Sequence, residues 1–476
     1  MWQEYKTPSS PQEVVELLAQ NDRARIVAGG TDLILEIERG IRKDVDTLID
    51  VTRIPNLDRI TLDEDGVIHL GAMVTHNHVA GSKLMQECAY PLVRACWEVG
   101  ANQIRNRATV AGNLVTASPA NDTITPLMAL GTSVTLLSTK GERTVALKDF
   151  YQGVRKTVMR QDEMLVDISF PALTESQRGT FIKLALRRAQ AICVINVAIV
   201  LDMHTSTTLS TSVATVKSAA ITLGAVSPVI IHAEEAETYL VGKELSEDVI
   251  AEAANLAMQA ARPIGDIRGS AEYRREMVRV NTARGLRSLR DGQEQVGFPS
   301  DPVLLWGKSK TSKSQPATYQ SSNPIITTIN ESEYVIDRGH DKTLLDFLRE
   351  ELGMMGSKEG CGEGECGACT VYLDGKAVMA CLVPAPRAHG AEIMTIEGLA
   401  GEAQEQLHPV QEAFIHDGAV QCGFCTPGFI MSAAKLLEER PKPTRNQIEQ
   451  AISGNICRCT GYYKIVEAIE NASQAK

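Results

Sequence analysis

Eight of the chain's eleven cysteines lie beyond residue 360, and they fall into two spaced sets. The first is Cys361-Gly-Glu-Gly-Glu-Cys366-Gly-Ala-Cys369, with Cys381 following after a gap. C-x4-C-x2-C with a distant fourth thiolate is the plant-type spacing for a [2Fe–2S] cluster. Iron takes thiolate ligands, and their charge needs donors close by. Gly360, Gly362, Gly364 and Gly367 are expected to take positive φ and bring backbone N–H groups to the sulfur atoms. Structural zinc usually uses two short cysteine pairs, which a triplet in a glycine coil is not. The second set is Cys422-Gly-Phe-Cys425 with Cys457-Arg-Cys459, and a second [2Fe–2S] cluster is the economical reading. Cys88, Cys96 and Cys193 stand alone and read as buried thiols acting as small apolar residues.

The elements that must position these thiols divide the chain. Its 476 residues give room for two or three domains, each with a core. A net charge of −11 and only 4% aromatic residues argue against nucleic acid or an anionic membrane surface as the main partner. No apolar run is long enough for a membrane span and no secretory signal opens the chain, so a cytoplasmic location is expected. Ser10 caps a helix with Pro11 at its first position, and Val14, Leu17 and Leu18 give its buried face. Arg25–Val27 reads as a strand running into Ala28-Gly29-Gly30-Thr31-Asp32. A second strand precedes Thr75, a cap for a helix carrying His76 and His78, whose spacing does not suit chelation. Residues 180–231 read as strands, and helices follow around 249–261 and 273–289.

Composition changes at residues 291–323, which are rich in Gly, Pro, Ser, Lys and Gln and read as a solvated linker. Beyond it, Ile325, Thr327 and Ile329 alternate as a strand, and Thr343 caps a helix with Leu344, Leu348 and Leu352 on one stripe. Asp374-Gly375 turns a hairpin. These pieces suit a small β-grasp unit, followed by helices around 410–416, 429–437 and after Thr444.

Two longer stretches carry a resemblance. Gln421-Cys-Gly-Phe-Cys-Thr-Pro-Gly428 and Asn455-Ile-Cys-Arg-Cys-Thr-Gly-Tyr462 resemble the helical iron–sulfur signatures of the molybdenum hydroxylases, the xanthine dehydrogenase and carbon monoxide dehydrogenase family. The likeness covers residues from about 324 onward. It implies that Cys361, Cys366, Cys369 and Cys381 hold a distal cluster. Cys422, Cys425, Cys457 and Cys459 would hold a proximal one, with Gln421 facing a molybdopterin on another chain. The first 290 residues resemble the same family's FAD subunit. That likeness assigns Val27, Ala28, Gly29, Gly30, Thr31 and Asp32 to the FAD pyrophosphate, Thr109, Ala111, Gly112 and Asn113 to a second flavin loop, and Asp122, Leu165 and Lys183 to the flavin's surroundings. The usual glycine pair of that second loop is Ala111-Gly112 here.

The implied fold is α+β and multidomain: a vanillyl-alcohol-oxidase-type FAD domain, a β-grasp ferredoxin-like domain and a helical-bundle [2Fe–2S] domain. The expected boundaries are 1–175 for FAD binding, 176–290 for the flavin subunit's C-terminal α/β domain, 291–323 for the linker, and 324–400 and 401–476 for the two cluster domains. No residue of the chain is expected to be catalytic in its own right. The implied role is an electron-transfer subunit with FAD and two [2Fe–2S] clusters, served by a large molybdopterin-binding catalytic subunit, in a heterodimer that itself dimerises. Electrons would run from molybdopterin through both clusters to FAD and an external acceptor. Xanthine dehydrogenases follow the paired arginines of one flavin loop with acidic residues, whereas this chain reads Arg187-Arg188-Ala-Gln-Ala-Ile192, which weakens the case for NAD as that acceptor. The substrate expected for the partner is a purine or other N-heterocycle. The alternatives are a stand-alone flavin/iron–sulfur reductase and a zinc scaffold.

Overall fold

A computed structural model describes residues 1–207, 212–308, 319–400 and 406–474. The chain divides into two compact units, and neither is continuous in sequence.

The first unit takes Met1–Pro55, Gly100–Ala108 and everything from Asp301 onward. Its N-terminal part is a three-stranded parallel sheet in the order Glu4–Lys6, Thr47–Asp50, Ala24–Val27. Helix Pro11–Gln20 starts at the Ser10 cap and buries Val14, Val15 and Leu18, while Leu17 is only partly covered. The ferredoxin-like part is a five-stranded mixed sheet. Its order is Ser332–Ile336, Ile325–Ile329, Glu392–Met394, Thr370–Leu373, Lys376–Met379, with the second and third strands parallel. Asp374 and Gly375 both take positive φ, the geometry that a tight two-residue hairpin turn demands.

Thr343 caps Leu344–Asp346, which widens into a π-helical turn over Phe347–Glu351. The wider register brings Phe347 into the core beside Leu344 and Leu348 and leaves Leu352 only partly covered, so the expected three-leucine stripe is broken at its end. Four helices complete the unit: Pro409–His416, Thr426–Glu439, Arg445–Ala451 and Tyr463–Ala472. Thr444 and Gln447 form a reciprocal capping box at the third.

One apolar core runs from Trp2, Tyr5 and Leu48 into Tyr319, Phe347, Val371 and Cys381. The tether departs from its expected solvated state. Val303 and Leu305 are buried against the helical part, and Glu439 accepts the backbone N–H groups of Leu304 and Trp306 at 3.1 and 2.9 Å. Trp306 Nε1 donates to Asn106 at 2.7 Å and Lys376 stands 4.5 Å over its ring. Apolar anchors inside a polar sequence are what hold it down. Of the lysine- and serine-rich stretch 307–316, residues 309–316 lie outside the described residues.

The second unit comprises Asn56–Val99 and Thr109–Ser300. One antiparallel sheet has the order Ile60–Leu62, Val67–Gly71, Met164–Pro171, Ser133–Ser138, Gly141–Ala146. A second runs Gln177–Ala185, Cys193–Thr207, Ser212–Gly224, Ile231–His232 and is covered by helices Glu247–Ala260 and Ala271–Arg290. Thr75 does cap His76–Gly81; the His78 ring accepts the Thr75 N–H at 3.2 Å, and His76 is buried. Among the described residues, no helix is long and apolar enough to cross a membrane.

Candidate functional site

The loop from Cys361 to Cys369 folds back on its first cysteine. Cys361 Sγ accepts backbone N–H groups from Glu363 and Glu365 at 3.3 Å and from Cys366 at 3.4 Å. Gly362, Gly364 and Gly367 take positive φ, as this nest of donors requires. Gly360 does not; its need is space, since a Cβ there would stand 2.8 Å from Cys366 Sγ.

The four thiols face one another in pairs, Cys361 with Cys366 and Cys369 with Cys381. Hydrogen bonding from the Cys366 thiol, then from the backbone, pulls Cys361 down to about 5. The same contact and burial push Cys366 up. Cys369 is likewise lowered by the Cys381 thiol, and Cys381 is raised. In each facing pair one thiol is lowered and its partner raised, as two sulfurs sharing one proton would be.

The second set repeats the arrangement at helix ends. Cys422 precedes and Cys425 caps helix Thr426–Glu439, whereas Cys457 and Cys459 lie between Arg445–Ala451 and Tyr463–Ala472. Cys422 and Cys459 sulfurs are 3.6 Å apart, close to the edge of a tetrahedron whose metal–sulfur bonds are about 2.3 Å. Cys425 faces Cys457. Cys457 Sγ accepts from Cys459 N at 3.4 Å, Thr460 N at 3.3 Å and Thr460 Oγ1 at 3.2 Å. Among the described residues, no three His, Cys, Asp or Glu side chains converge as they would around one ion. Two facing pairs per set suit a binuclear cluster, with one pair for each iron, better than a single zinc. Cys88, Cys96 and Cys193 join neither set; Cys96 and Cys193 are buried and Cys88 is partly so.

The two loops are bonded to each other. Ile456 N–H donates to Cys366 C=O at 3.0 Å, and Asn455 Nδ2 donates to Gly367 C=O at 3.1 Å. Asn455 Oδ1 accepts from Ser432 Oγ at 2.8 Å and from Gln103 Nε2 at 3.1 Å. Cys422 and Cys459 are exposed, as are Gln421, Val420, Phe424, Ile456, Tyr462 and Tyr463 beside them in sequence.

In the first unit, buried Val27 ends its strand and residues 28–32 lead into helix Leu33–Glu38. Gly30 has φ +80°, and a Cβ on it would meet Leu382 O at 2.8 Å. A Cβ on Gly29 would meet Arg107 O at 2.6 Å, so this turn lies directly against other backbone. Arg107 donates from Nε to Gly29 O at 3.1 Å and from Nη2 to Ala28 O at 3.2 Å. Thr31 and Asp32 complete the turn, with Glu36 N–H bonded to Asp32 O at 2.9 Å.

In the second unit, Thr109 caps helix Val110–Thr116 by accepting Gly112 N–H at 2.9 Å. Ala111 is buried there without strain, so the alanine at the glycine position is accommodated. Asn113 accepts from Thr123 and Asn121. Lys183 Nζ donates to Asp122 at 2.6 Å and to Glu98 O at 3.0 Å, and the pair is buried, with side-chain exposures of 4% and 9%. Burial pushes the Asp122 carboxyl up, against the pull of the Lys183 ammonium and the Asn196 amide. Leu165 is buried on strand Met164–Pro171, beside a bulge. The sequence marks Asn455 only as the start of a cysteine signature, and Gln103 and Arg107 not at all; their contacts give them their place.

Four family models match in succession. Residues 2–173 match the FAD binding domain in molybdopterin dehydrogenase, and 180–289 the CO dehydrogenase flavoprotein C-terminal domain. Residues 327–393 match a 2Fe-2S iron–sulfur cluster binding domain, and 395–470 a [2Fe-2S] binding domain. The nicotinate dehydrogenase small FeS subunit of Eubacterium barkeri is 50% identical over 132 residues, 28% of this chain and 83% of that protein. A solved carbon monoxide dehydrogenase from Hydrogenophaga pseudoflava, which lacks the Mo-pyranopterin moiety of the molybdenum cofactor, superposes with TM-score 0.56 at 29% identity, covering 61% of this chain and 97% of that one. Quinoline 2-oxidoreductase from Pseudomonas putida 86 gives TM-score 0.56 at 28% identity, covering 62% and 98%.

Proposed function

Since the chain belongs to the molybdenum hydroxylase family, we propose that it carries electrons from a molybdopterin-binding partner to an external acceptor, as the fused flavin and iron–sulfur subunit of a heteromeric oxidoreductase. Cys361, Cys366, Cys369 and Cys381 hold one [2Fe–2S] cluster, and Cys422, Cys425, Cys457 and Cys459 the other. Residues 27–32 serve the FAD pyrophosphate; Thr109, Ala111, Gly112, Asn113, Asp122, Leu165 and Lys183 serve the rest of the flavin. When bound, the clusters supply one-electron transfer and FAD couples it to two-electron exchange.

What carries the reading is the paired thiol geometry of two sets whose loops share the Ile456–Cys366 hydrogen bond at 3.0 Å. The chain's own work is to surround the Cys361 and Cys457 sulfurs with backbone N–H donors, to fix the separation of the loops and to keep water from the buried pair Cys369 and Cys381. The exposed apolar residues beside Cys422 and Cys459 suit a face covered by the partner, where Gln421 is turned to solvent in the chain alone.

The partner's substrate is proposed to be an N-heterocycle, supported by the names nicotinate dehydrogenase and quinoline 2-oxidoreductase among the relatives. The acceptor (NAD or another), the pairing of two heterodimers and a cytoplasmic location belong to the same proposal. The test is affinity purification of the full chain from its native cell. A large chain carrying molybdenum should come with it, and the isolated chain should hold four irons and one FAD. Recovery without a molybdenum-bearing chain would favour a stand-alone reductase, and zinc without sulfide would refute both.

A further inference from the structure

The turn at residues 28–30 is held from behind. Arg107 reaches the carbonyls of Ala28 and Gly29 at 3.2 and 3.1 Å, and Gly29 is pressed against the Arg107 backbone so closely that no Cβ fits. In a trans peptide the C=O and the following N–H point in opposite directions. Drawing the Ala28 and Gly29 carbonyls toward the guanidinium therefore aims the Gly29 and Gly30 N–H groups away from it. Neither of those N–H groups donates to any group among the described residues. They form a pair of fixed, unused donors on the outer side of the turn.

Charge supplies an independent observation. Arg107 shares its surroundings with Arg387 and, through it, Arg53, and the carboxylates acting on the three are Asp50 and Asp374. Asp374 is bonded to Arg387 at 2.7 Å, and Asp50 accepts the Tyr5 hydroxyl at 2.6 Å. Burial, followed by Asp50, pushes the Tyr5 phenol up, so it adds no negative charge. Burial brings Arg107 down to about 10, which leaves it charged at neutral pH. Three guanidinium groups against two carboxylates leave one positive charge in surplus. Arg53 Nε and both Arg387 Nε and Nη1 are buried with no hydrogen-bond partner among the described residues. Arg53 and Arg387 are buried and Arg107 is partly so, and a surplus charge held there is costly unless an anion meets it.

We propose that Arg107 is the positioning residue of the FAD pyrophosphate site: it turns the N–H donors of Gly29 and Gly30 outward and provides the fixed positive charge behind them. This rests on the assignment of residues 27–32 to the pyrophosphate, and the experiment separates the two. Full-length chain with both clusters in place is stripped of flavin, and FAD is titrated back by fluorescence quenching at low and high KCl. Cluster absorbance reports folding.

Arg107→Gln should raise the Kd for FAD about 10- to 100-fold at low salt, the range for a charge-assisted contact. The ratio to the parent should shrink at high salt as screening removes the charge term. Arg107→Lys keeps the charge but cannot hold two carbonyls, so it should bind several-fold more weakly with the parent's salt dependence. Gly30→Ala tests the loop itself. If Gly30→Ala binds FAD like the parent, the pyrophosphate assignment falls. If it weakens FAD while Arg107→Gln binds like the parent, the Arg107 proposal alone is overturned. An equal loss for Arg107→Gln at both salt levels would leave Arg107 a merely structural role and also overturns it. Should Arg107→Gln lose its clusters, Arg107→Lys decides: an unchanged Kd overturns the proposal.

Discussion

Gly428→Ala sets two effects of opposite sign against each other. Gly428 is the third residue of helix Thr426–Glu439, where alanine would ordinarily stabilise by about 1 kcal/mol. The added Cβ would, however, stand 2.2 Å from Gly367 O, 3.0 Å from Gly367 C and 3.1 Å from Ala368 Cα. All three atoms are backbone, so no side chain can swing aside. Relief requires the Gly367 carbonyl to retreat by roughly 1 Å, judged against ordinary carbon–oxygen contacts. That carbonyl accepts Thr370 N–H at 3.1 Å, Thr370 Oγ1 at 2.7 Å and Asn455 Nδ2 at 3.1 Å. Weakening these at about 0.5–1.5 kcal/mol each outweighs the helix gain. With overpacking at about 1–3 kcal/mol, the net expectation is a loss of roughly 2–4 kcal/mol.

The assay is a urea titration of the full chain, followed through cluster absorbance, with electron paramagnetic resonance of the reduced protein at each stage. The Gly428→Ala midpoint should fall, and both cluster signals should change. Gly367 stands in the first cysteine loop, and its partner Asn455 lies two residues before Cys457. A variant as stable as the parent, with both signals unaltered, would refute the claim that the two loops meet through rigid backbone contact.

Three further outcomes are expected. Cys457→Ser should remove one cluster, lowering iron by two atoms per chain in metal analysis, while the FAD content measured on the same sample stays constant. Lys183→Met leaves Asp122 buried beside Glu98 O without its cation, which should cost about 3–5 kcal/mol by denaturant titration of the second unit, offset in part by protonation of Asp122. Asp266 is held below the ordinary carboxylate range by hydrogen bonds from Arg268 and Arg274. Its contribution should be complete above about pH 4, the unfolded carboxyl value, and disappear as pH falls through the lower folded value. Acid titration by circular dichroism should therefore show Asp266→Asn losing stability near neutral pH and converging on the parent in acid.

Local signals were readable where one turn of chain supplies both the residue and its partner. Ser10, Thr75, Thr343 and Thr444 each accept an N–H three residues on, and Asp374-Gly375 needs nothing beyond its own φ angles. Cysteine spacing pointed to two sets because ligands to one centre must be close in space. The facing pairs, by contrast, join Cys422 to Cys459 across 37 positions, and composition carries no such information. Distance in sequence also hid the departures. Within residues 101–122, where small and amide side chains dominate, Gln103 reaches Asn455 across 352 positions and Asn106 reaches Ala377 across 271, spans that no local pattern carries. Residues 303–306 read as solvated because their neighbours are polar; what buries Val303 and Leu305 lies in strands and helices far later in the chain. Arg107 has no local pattern at all, since its function depends on two carbonyls 78 and 79 positions away.

The single core that joins Trp2 and Tyr5 to Tyr319 and Phe347 has a consequence in time. Tyr5 N–H takes Ser321 Oγ as its partner, 316 positions downstream. At about 5–20 residues per second, the ribosome needs roughly 15–60 s to deliver that partner after Tyr5 has emerged. Meanwhile the parallel strands Glu4–Lys6, Ala24–Val27 and Thr47–Asp50 lack the apolar cover that Tyr319 and the residues after it supply. Residues 1–55 thus emerge well before the partners they need and can finish folding only after residue 319 has followed. Slowed translation upstream of residue 319 should lengthen the window in which they are open to chaperones and proteases.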